Sequence, residues 1–215
     1  MTLYYPKMPD SARAPLERCI AFEKYDGTNL HWDWDRDFGW HCFGTRRAAF
    51  DLTERGIDEF RRAHAHLHEA VAIFQATLVE SIAQILQRQA FYAAFAEIRI
   101  FTEFFGPGSF AGLHKAEDPK ELRLFDVWAE GYGFVGPRQF LADFAVVPSA
   151  RKVYEGKLTG QFAEDVRAGR YGVQEGVVCK GGSGGTDVWM VKIKTQAYQA
   201  RLKQAFADRW EDYWE

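Results

Sequence analysis

The run Phe22-Glu23-Lys24-Tyr25-Asp26-Gly27-Thr28-Asn29 puts a lysine at the end of an apolar-alternating stretch and follows it at once with an acid and a glycine turn. A lysine so placed is a candidate nucleophile. With an ordinary pKa of about 10.4, fewer than roughly one such side chain in a thousand is a free amine at pH 7, so its surroundings must help. Further along, Lys192 and Lys194 stand two apart in a strand-like run and must face the same way. Glu103, Asp126 and Glu175 are acids in apolar settings, where a carboxylate needs a partner or a ligand. Arg46 and Arg47 form a cationic pair. Each has an ordinary explanation when taken alone: a solvated strand end for Lys24, a charged sheet edge for Lys192 and Lys194, core for Phe125, salt bridges for the acids. Their occurrence together, in this order, points to a site.

The elements that must position these residues are legible from periodicity. Residues 1–17 carry Pro6, Pro9 and Pro15 with few periodic apolar positions and read as an extended lead-in or partner-docking arm without chemistry. From Cys19 the period is two: Ile20, Phe22 and Lys24, then Leu30, Trp32 and Trp34, then Phe38, Trp40 and Cys42, an expected antiparallel meander ended by Arg46 and Arg47. Asp51 or Thr53 caps an expected long helical region to about Ala94, with Phe60, Leu67, Val71, Phe74, Leu78, Ile82 and Ile85 on its apolar stripe. A strand over Glu97–Phe105 puts Glu97, Arg99, Phe101 and Glu103 opposite Ile98, Ile100 and Phe104. The next, Leu122–Trp128, puts Asp126 on the face of Leu124 and Trp128. Pro137 opens a short helix and Thr159 caps another that ends near Gly169. Two strands from Glu175 and to Lys194 flank the hairpin loop Gly181–Gly185, and a final helix carries Tyr198, Leu202, Phe206 and Trp210.

Several tempting motifs fail on chemistry. His64, His66 and His68 lack the spacing of a zinc-protease helix and read as structural. Gly106-Pro107-Gly108-Ser109 lacks the lysine and hydroxyl of a phosphate loop and reads as a turn. Cys19, Cys42 and Cys179 are widely spaced and odd in number, which suits a reducing cytoplasm. No leader or membrane span is expected, and a net charge of −3 argues against a uniformly basic polyanion binder. At 47% hydrophobic and 16% aromatic content, the 215 residues are enough for one well-buried domain over 18–215.

With these residues in order, the chain resembles the covalent nucleotidyltransferases, the superfamily of ATP-dependent DNA and RNA ligases and mRNA capping enzymes, and most closely their RNA ligase branch. Lys24-Tyr25-Asp26-Gly27 resembles the first motif, whose lysine takes the nucleotide as a phosphoramidate. Thr28-Asn29 is similar to the Ser/Thr-Asn of RNA ligases, where DNA ligases and capping enzymes usually have Arg two residues after the Gly. Arg46, or Arg47 one residue on, resembles the phosphate-contacting arginine, and Glu103 the acid that holds the ribose. Phe125-Asp126 resembles the third motif, with the aromatic stacked on adenine. Glu175-Gly176 resembles the fourth, whose acid is associated with the metal, and Lys192 and Lys194 the fifth, which grips the α-phosphate.

The resemblance implies an α+β, antiparallel-sheet nucleotidyltransferase (ATP-grasp-like ligase adenylation) domain with flanking helices and no appended OB domain. It implies ATP and Mg2+, with Mn2+ as a substitute, and RNA bearing 5′-phosphate and 3′-hydroxyl ends as partner. The short remainder after Lys194 implies either a protein partner supplying a second domain for sealing, or an RNA-end adenylyltransferase; a nucleotide- or RNA-binding module without chemistry is the reading from another class. Lys192 and Lys194, as neighbouring ammoniums, are expected to lower the pKa of Lys24.

Overall fold

The protein is described from a computed structural model covering residues 4–107 and 114–207. Strands β1 (Arg18–Lys24), β2 (Thr28–Asp35), β3 (Gly39–Thr45) and β4 (Ala49–Asp51) lead into helices α1 (Glu54–Ala63), α2 (Ala70–Thr77), α3 (Val79–Arg88) and α4 (Ala90–Ala93). Strands β5 (Glu97–Phe105), β6 (Glu121–Ala129) and β7 (Gly133–Val135) precede α5 (Pro137–Asp143), β8 (Lys152–Lys157) and α6 (Gly160–Arg167). The chain continues through β9 (Gly176–Gly181), β10 (Gly184–Gly185) and β11 (Trp189–Lys194) to α7 (Gln196–Phe206).

The strands form two sheets, a four-stranded one in the order β11-β9-β1-β8 and a seven-stranded one in the order β10-β7-β6-β5-β2-β3-β4. Every pairing between named strands is antiparallel. This corrects the expected meander. β1 does not pair with β2; the chain leaves the small sheet after Lys24 and enters the large one at Thr28. Gly27 makes the crossing feasible, because a Cβ there would meet the Phe104 carbonyl oxygen at 2.4 Å. Phe38 is not a strand residue but the 85% exposed tip of the β2–β3 hairpin.

Alternation decides what each sheet buries. Leu30 and Trp32 of β2 and Ile98 and Ile100 of β5 pack with Phe60, Phe74 and Ile82 of the helices in one large core. Trp32 stacks on Phe74 at 3.7 Å and donates its indole N–H to Thr102 Oγ1 at 2.9 Å. Ala21, Val177 and Ile193 of the small sheet pack on Phe162 and Val166 of α6 in a second core. The opposite faces of the strands are left for the space between the sheets.

The expected continuous helix to Ala94 is broken instead at His64, whose φ of −135° and ψ of 64° end α1, and again at Leu78. Residues 65–77 and 79–88 meet at a bend of 52°. A straight helix over 54–94 would run roughly 60 Å, and a twisted sheet cannot bury the apolar stripe of so long a rod. Most residues expected on that stripe are nonetheless inward: Phe60, Leu67, Val71, Phe74, Leu78 and Ile82 are buried, while Ile85 is half-buried at the edge of the same core. Thr53, Thr159 and Thr195 cap their helices through the hydroxyl. The Gly181–Gly185 loop does more than close a hairpin, since its Gly184 and Gly185 pair with β7 and join the two sheets. β8, which sequence reading passed over, completes the edge of the small sheet beside β1. Gly108, Ser109 and Trp210 lie outside the described residues.

Candidate functional site

Register on the small sheet brings the lysines together. Lys24 lies opposite Gly176, which lies opposite Lys194; one row along, Phe22, Val178 and Lys192 are aligned in the same way. Side chains two apart on a strand share a face, so Lys24, Lys192 and Lys194 project toward the large sheet together with Val178 and Lys180. Gly176 has to be glycine in this row, because a Cβ would meet the Ile193 carbonyl oxygen at 2.0 Å.

On the large sheet the matching face carries Asn29 opposite Glu103, and Phe101 opposite Asp126. A β-bulge corrects the expected facing of Asp126. The β6 partner jumps from Asp126 at Phe101 to Leu124 at Thr102, so Phe125 is the extra residue. Leu122 and Leu124 point into the core before the bulge, and Val127 and Ala129 after it. Asp126 is thereby turned away from Leu124 and shares its side of the sheet with Phe125.

Between the sheets lies a cavity of about 530 Å3, within the ordinary range for small-molecule sites. It is lined by Lys24, Gly27, Thr28, Asn29, Glu103, Phe125 and Lys192, with Arg46 and Arg47 also on its wall. Glu175 and Asp26 instead line a second cavity of about 140 Å3 that also touches Lys24, so the lysine stands at the junction of the two. Lys194 is tied to this junction, its Nζ 3.7 Å from Glu175 Oε1. Asp26 is held back from the larger cavity, and its Oδ1 accepts the Tyr198 hydroxyl at 2.7 Å. Asp126 also faces inward, but it accepts from Tyr5 and lies 2.8 Å from the Lys180 ammonium.

The electrostatics depart from expectation at Lys24. Its Nζ is 2.8 Å from Glu175 Oε1. Burial pulls its pKa down, but Glu175, then Glu103 and Asp26, outweigh burial and hold the ammonium above its ordinary value. The neighbouring lysines do not lower it because three carboxylates face it, one of them in contact. The strain of crowding cations appears at Lys192 instead, which burial, Lys194 and Lys24 bring down to about 8. Burial likewise lowers Lys194. Glu103 is pushed up to about 8 by burial, against the pull of Lys24 and with the help of Glu175 and Asp26. Glu175 Oε2 is buried without a hydrogen-bond partner, an open acceptor beside three ammoniums.

Three features escaped the sequence reading. Lys180 is 4% exposed and donates to the Phe125 carbonyl at 2.5 Å besides pairing with Asp126; period two from Gly176 through Val178 was the available signal. Tyr5 enters from the segment assigned no chemistry, 121 residues from its partner Asp126, with no local signal at all. His64 and His66 line the larger cavity, as do Arg46 and Arg47. Among the described residues, the one cluster with metal-ligating reach is elsewhere: His31, Asp33 and Cys42 lie within 4.8 Å of one another. There both Asp33 oxygens already accept from Arg99, at 2.5 and 2.6 Å.

No family model matches the chain, and no curated protein matches it in sequence. Solved structures do. One form of an archaeal ATP-dependent RNA ligase matches with a TM-score of 0.65 and 16% identity, covering 98% of this chain and 55% of that one. A second form matches with a TM-score of 0.60 and 17% identity, covering 96% and 52%. A Naegleria gruberi RNA ligase mutant with ATP and Mn matches with a TM-score of 0.58 and 14% identity, covering 93% and 58%. The chain spans about half the length of each of these ligases. What is shared at such identities is the fold, a mixed architecture of antiparallel sheets with flanking helices.

Proposed function

We propose that the chain is the adenylating unit of an ATP-dependent RNA ligase. The observation that carries the reading is Lys24 at the junction of two cavities, in contact with Glu175, in register with Lys194 and one row from Lys192 on the same face. The likeness in fold to RNA ligases supports it.

In this reading the adenosine occupies the larger cavity, with the base stacked on Phe125 and Glu103 at the ribose hydroxyls. The deprotonated Lys24 amine attacks the α-phosphorus; the P–N bond forms as the bond to the pyrophosphate oxygen breaks, leaving lysyl-AMP. Lys192 and Lys194 neutralise the charge that develops on the α-phosphate. The AMP then passes to an RNA 5′-phosphate, and an RNA 3′-hydroxyl displaces it to seal the strand. Thr28 and Asn29 line the cavity beside Lys24, and Arg46 and Arg47, with His64 and His66, extend its wall for further phosphates.

Glu175 fits a divalent cation such as Mg2+ or Mn2+. Its Oε2 is buried and unpartnered, and a lone carboxylate sharing the ion with substrate phosphates is how magnesium is usually held. Such an ion would supply positive charge beside the α-phosphate. In its absence Glu175 keeps Lys24 protonated, so the carboxylate holds the nucleophile in reserve until its charge is engaged elsewhere.

Incubation with α-labelled ATP and Mg2+ should leave label on the protein through denaturing electrophoresis, and Lys24→Ala should remove it. Equal labelling of the alanine variant would show that the nucleophile is another residue. Sealing is tested separately with nicked duplexes that differ only in RNA or DNA at the 3′-hydroxyl side; faster sealing of DNA would overturn the RNA assignment.

A further inference from the structure

The large sheet gives the cavity a direction. In the strand order β6-β5-β2-β3-β4, Phe125 lies on β6, Glu103 on β5 and Asn29 on β2. Asn29 is paired with Glu103, and the last β2–β3 row, Leu30 with Thr45, puts Arg46 across from Asn29 one residue on. Adjacent strands lie roughly 4.8 Å apart, so the Arg46 backbone is about 10 Å from that of Glu103. Glu103, raised chiefly by burial, still feels the Arg46 charge across the cavity that both residues line.

His64 and His66 line the same cavity. His64 ends α1, which packs on β4, and its ring lies 6.0 Å from Phe50 of β4 and 5.2 Å from Phe60 of α1. The buried Leu67 anchors the turn that follows, with the His66 ring 6.3 Å from that of His64. Among the described residues neither imidazole hydrogen-bonds or ion-pairs with another group, whereas His68 Nδ1 bonds to the Ala65 carbonyl at 2.8 Å, outside the cavity. The acids of the surrounding elements have other neighbours: Asp58 pairs with Arg61, Glu59 with Arg55 and Glu69 with Lys120, and Asp51 lies by Arg55 and Cys42. Glu54 stands at the opposite end of α1. Of the acids lining the cavity, Glu23 pairs with Arg151 and Glu103 is three strands from β4. Arg46 and Arg47 before β4 and Arg61 and Arg62 in the last turn of α1 are all positive. Burial, then His66, lower the His64 pKa, so this ring is neutral at pH 7.

We propose that His64 and His66 form, with Arg46 and Arg47, a subsite for the phosphate next beyond the one at Lys24, and that this subsite takes up a proton from solvent when a phosphate fills it. The histidines have cations around them and no carboxylate partner. A phosphate dianion supplies the missing counter-charge, and an imidazole becomes a charged donor as the dianion binds. Two sources offer that chemistry, the β- and γ-phosphates of ATP and the 5′-phosphate of an RNA end. The inference rests on the reading that the α-phosphate lies at Lys24. The histidines act here as positioning residues, outside the covalent step.

Calorimetric titration at pH 7 in buffers of different ionisation enthalpy counts the protons taken up on binding. One ligand pair is AMP against α,β-methylene-ATP with Mg2+. The other, added to the AMP-saturated protein, is an RNA oligonucleotide with a 5′-hydroxyl against the same strand with a 5′-phosphate. In at least one pair the ligand with the extra phosphate should bind with uptake of up to about one more proton, and the pair that does so identifies the source. His64→Gln combined with His66→Gln should remove that difference and weaken the ligand about tenfold at pH 6, and by less at pH 8. His66→Gln alone, at an exposed position, should reduce the difference without changing the melting temperature. His68→Gln should alter neither quantity. A proton difference that survives the double substitution, or that is absent from both pairs in the wild type, overturns the proposal. If the wild type binds AMP and labels on Lys24 while the proton count is the same in the variants, only this inference fails; if it binds neither AMP nor the ATP analogue, the nucleotide reading fails with it.

Discussion

Two lysines on the inner face of the small sheet, Lys24 and Lys180, each meet a buried carboxylate, and the two pairs are built in opposite ways. At one, Asp126 Oδ2 receives both Tyr5 and Lys180, and Lys180 also satisfies the Phe125 carbonyl. At the other, Glu175 Oε1 is shared by Lys24 and Lys194 while Oε2 is buried with no partner. The first pair is closed, its charges matched and its carboxylate oxygen Oδ2 shared by two donors. The second is open: an acceptor is left over, and burial with the neighbouring ammoniums of Lys194 and Lys24 brings Lys192 down to about 8. A closed pair is suited to holding a wall in place. An open one has capacity for charge that arrives with a ligand, which is where chemistry on a phosphate would be placed.

Substitution should separate the two pairs. The largest effect expected is on labelling: Lys24→Ala should reduce covalent adenylation by at least about 10^3-fold, the scale of losing a nucleophile, while melting changes little by comparison. Closed-pair variants should behave in reverse. Lys180→Met leaves Asp126 buried without its cation, and breaking such a pair typically costs about 3–5 kcal/mol, readable as a fall in melting temperature of roughly 10 °C. If Lys180→Met melts like the wild type, the closed pair is not what holds the Phe125 wall.

The smallest effect concerns Lys192, whose folded-state pKa of about 8 lies below the ordinary 10.5. Between those values the unfolded chain binds more protons than the folded one, so stability rises with pH across that window. The cost of the ammonium is fully present below about pH 8 and disappears above the ordinary value. Lys192→Met should therefore raise the melting temperature by a few degrees at pH 7 and by less at pH 10, as scanning calorimetry would read. A gain of equal size at both pH values would trace it to packing and not to charge.

Residue types and spacing sufficed to nominate Lys24, Glu175, Lys192 and Lys194, because period-two patterning fixes which side chains share a face, and register then only has to align the faces. The helix caps at Thr53 and Thr159 were legible for a similar reason: a hydroxyl bonded to an amide three residues on is a local event. Where sequence reading failed, the deciding interaction was distant. Nothing between Lys24 and Thr28 states that the chain changes sheets there, since hairpin and crossover can both use an Asp-Gly step. The bulge at Phe125 moves Asp126 to the cavity side, and a shift of one residue in pairing is invisible to alternation within one strand. The pKa of Lys24 went opposite to expectation because Coulomb energy follows distance, and only the folded chain puts Glu175 nearer than the lysines. Tyr5 is the extreme case, a residue in an aperiodic segment given its place by partners across the whole chain. The sequence by itself nominated the candidate lysines and acids and most of the strands that carry them; the tertiary structure alone decided which carboxylate each lysine meets, because pairing in space depends on contacts that no local pattern encodes.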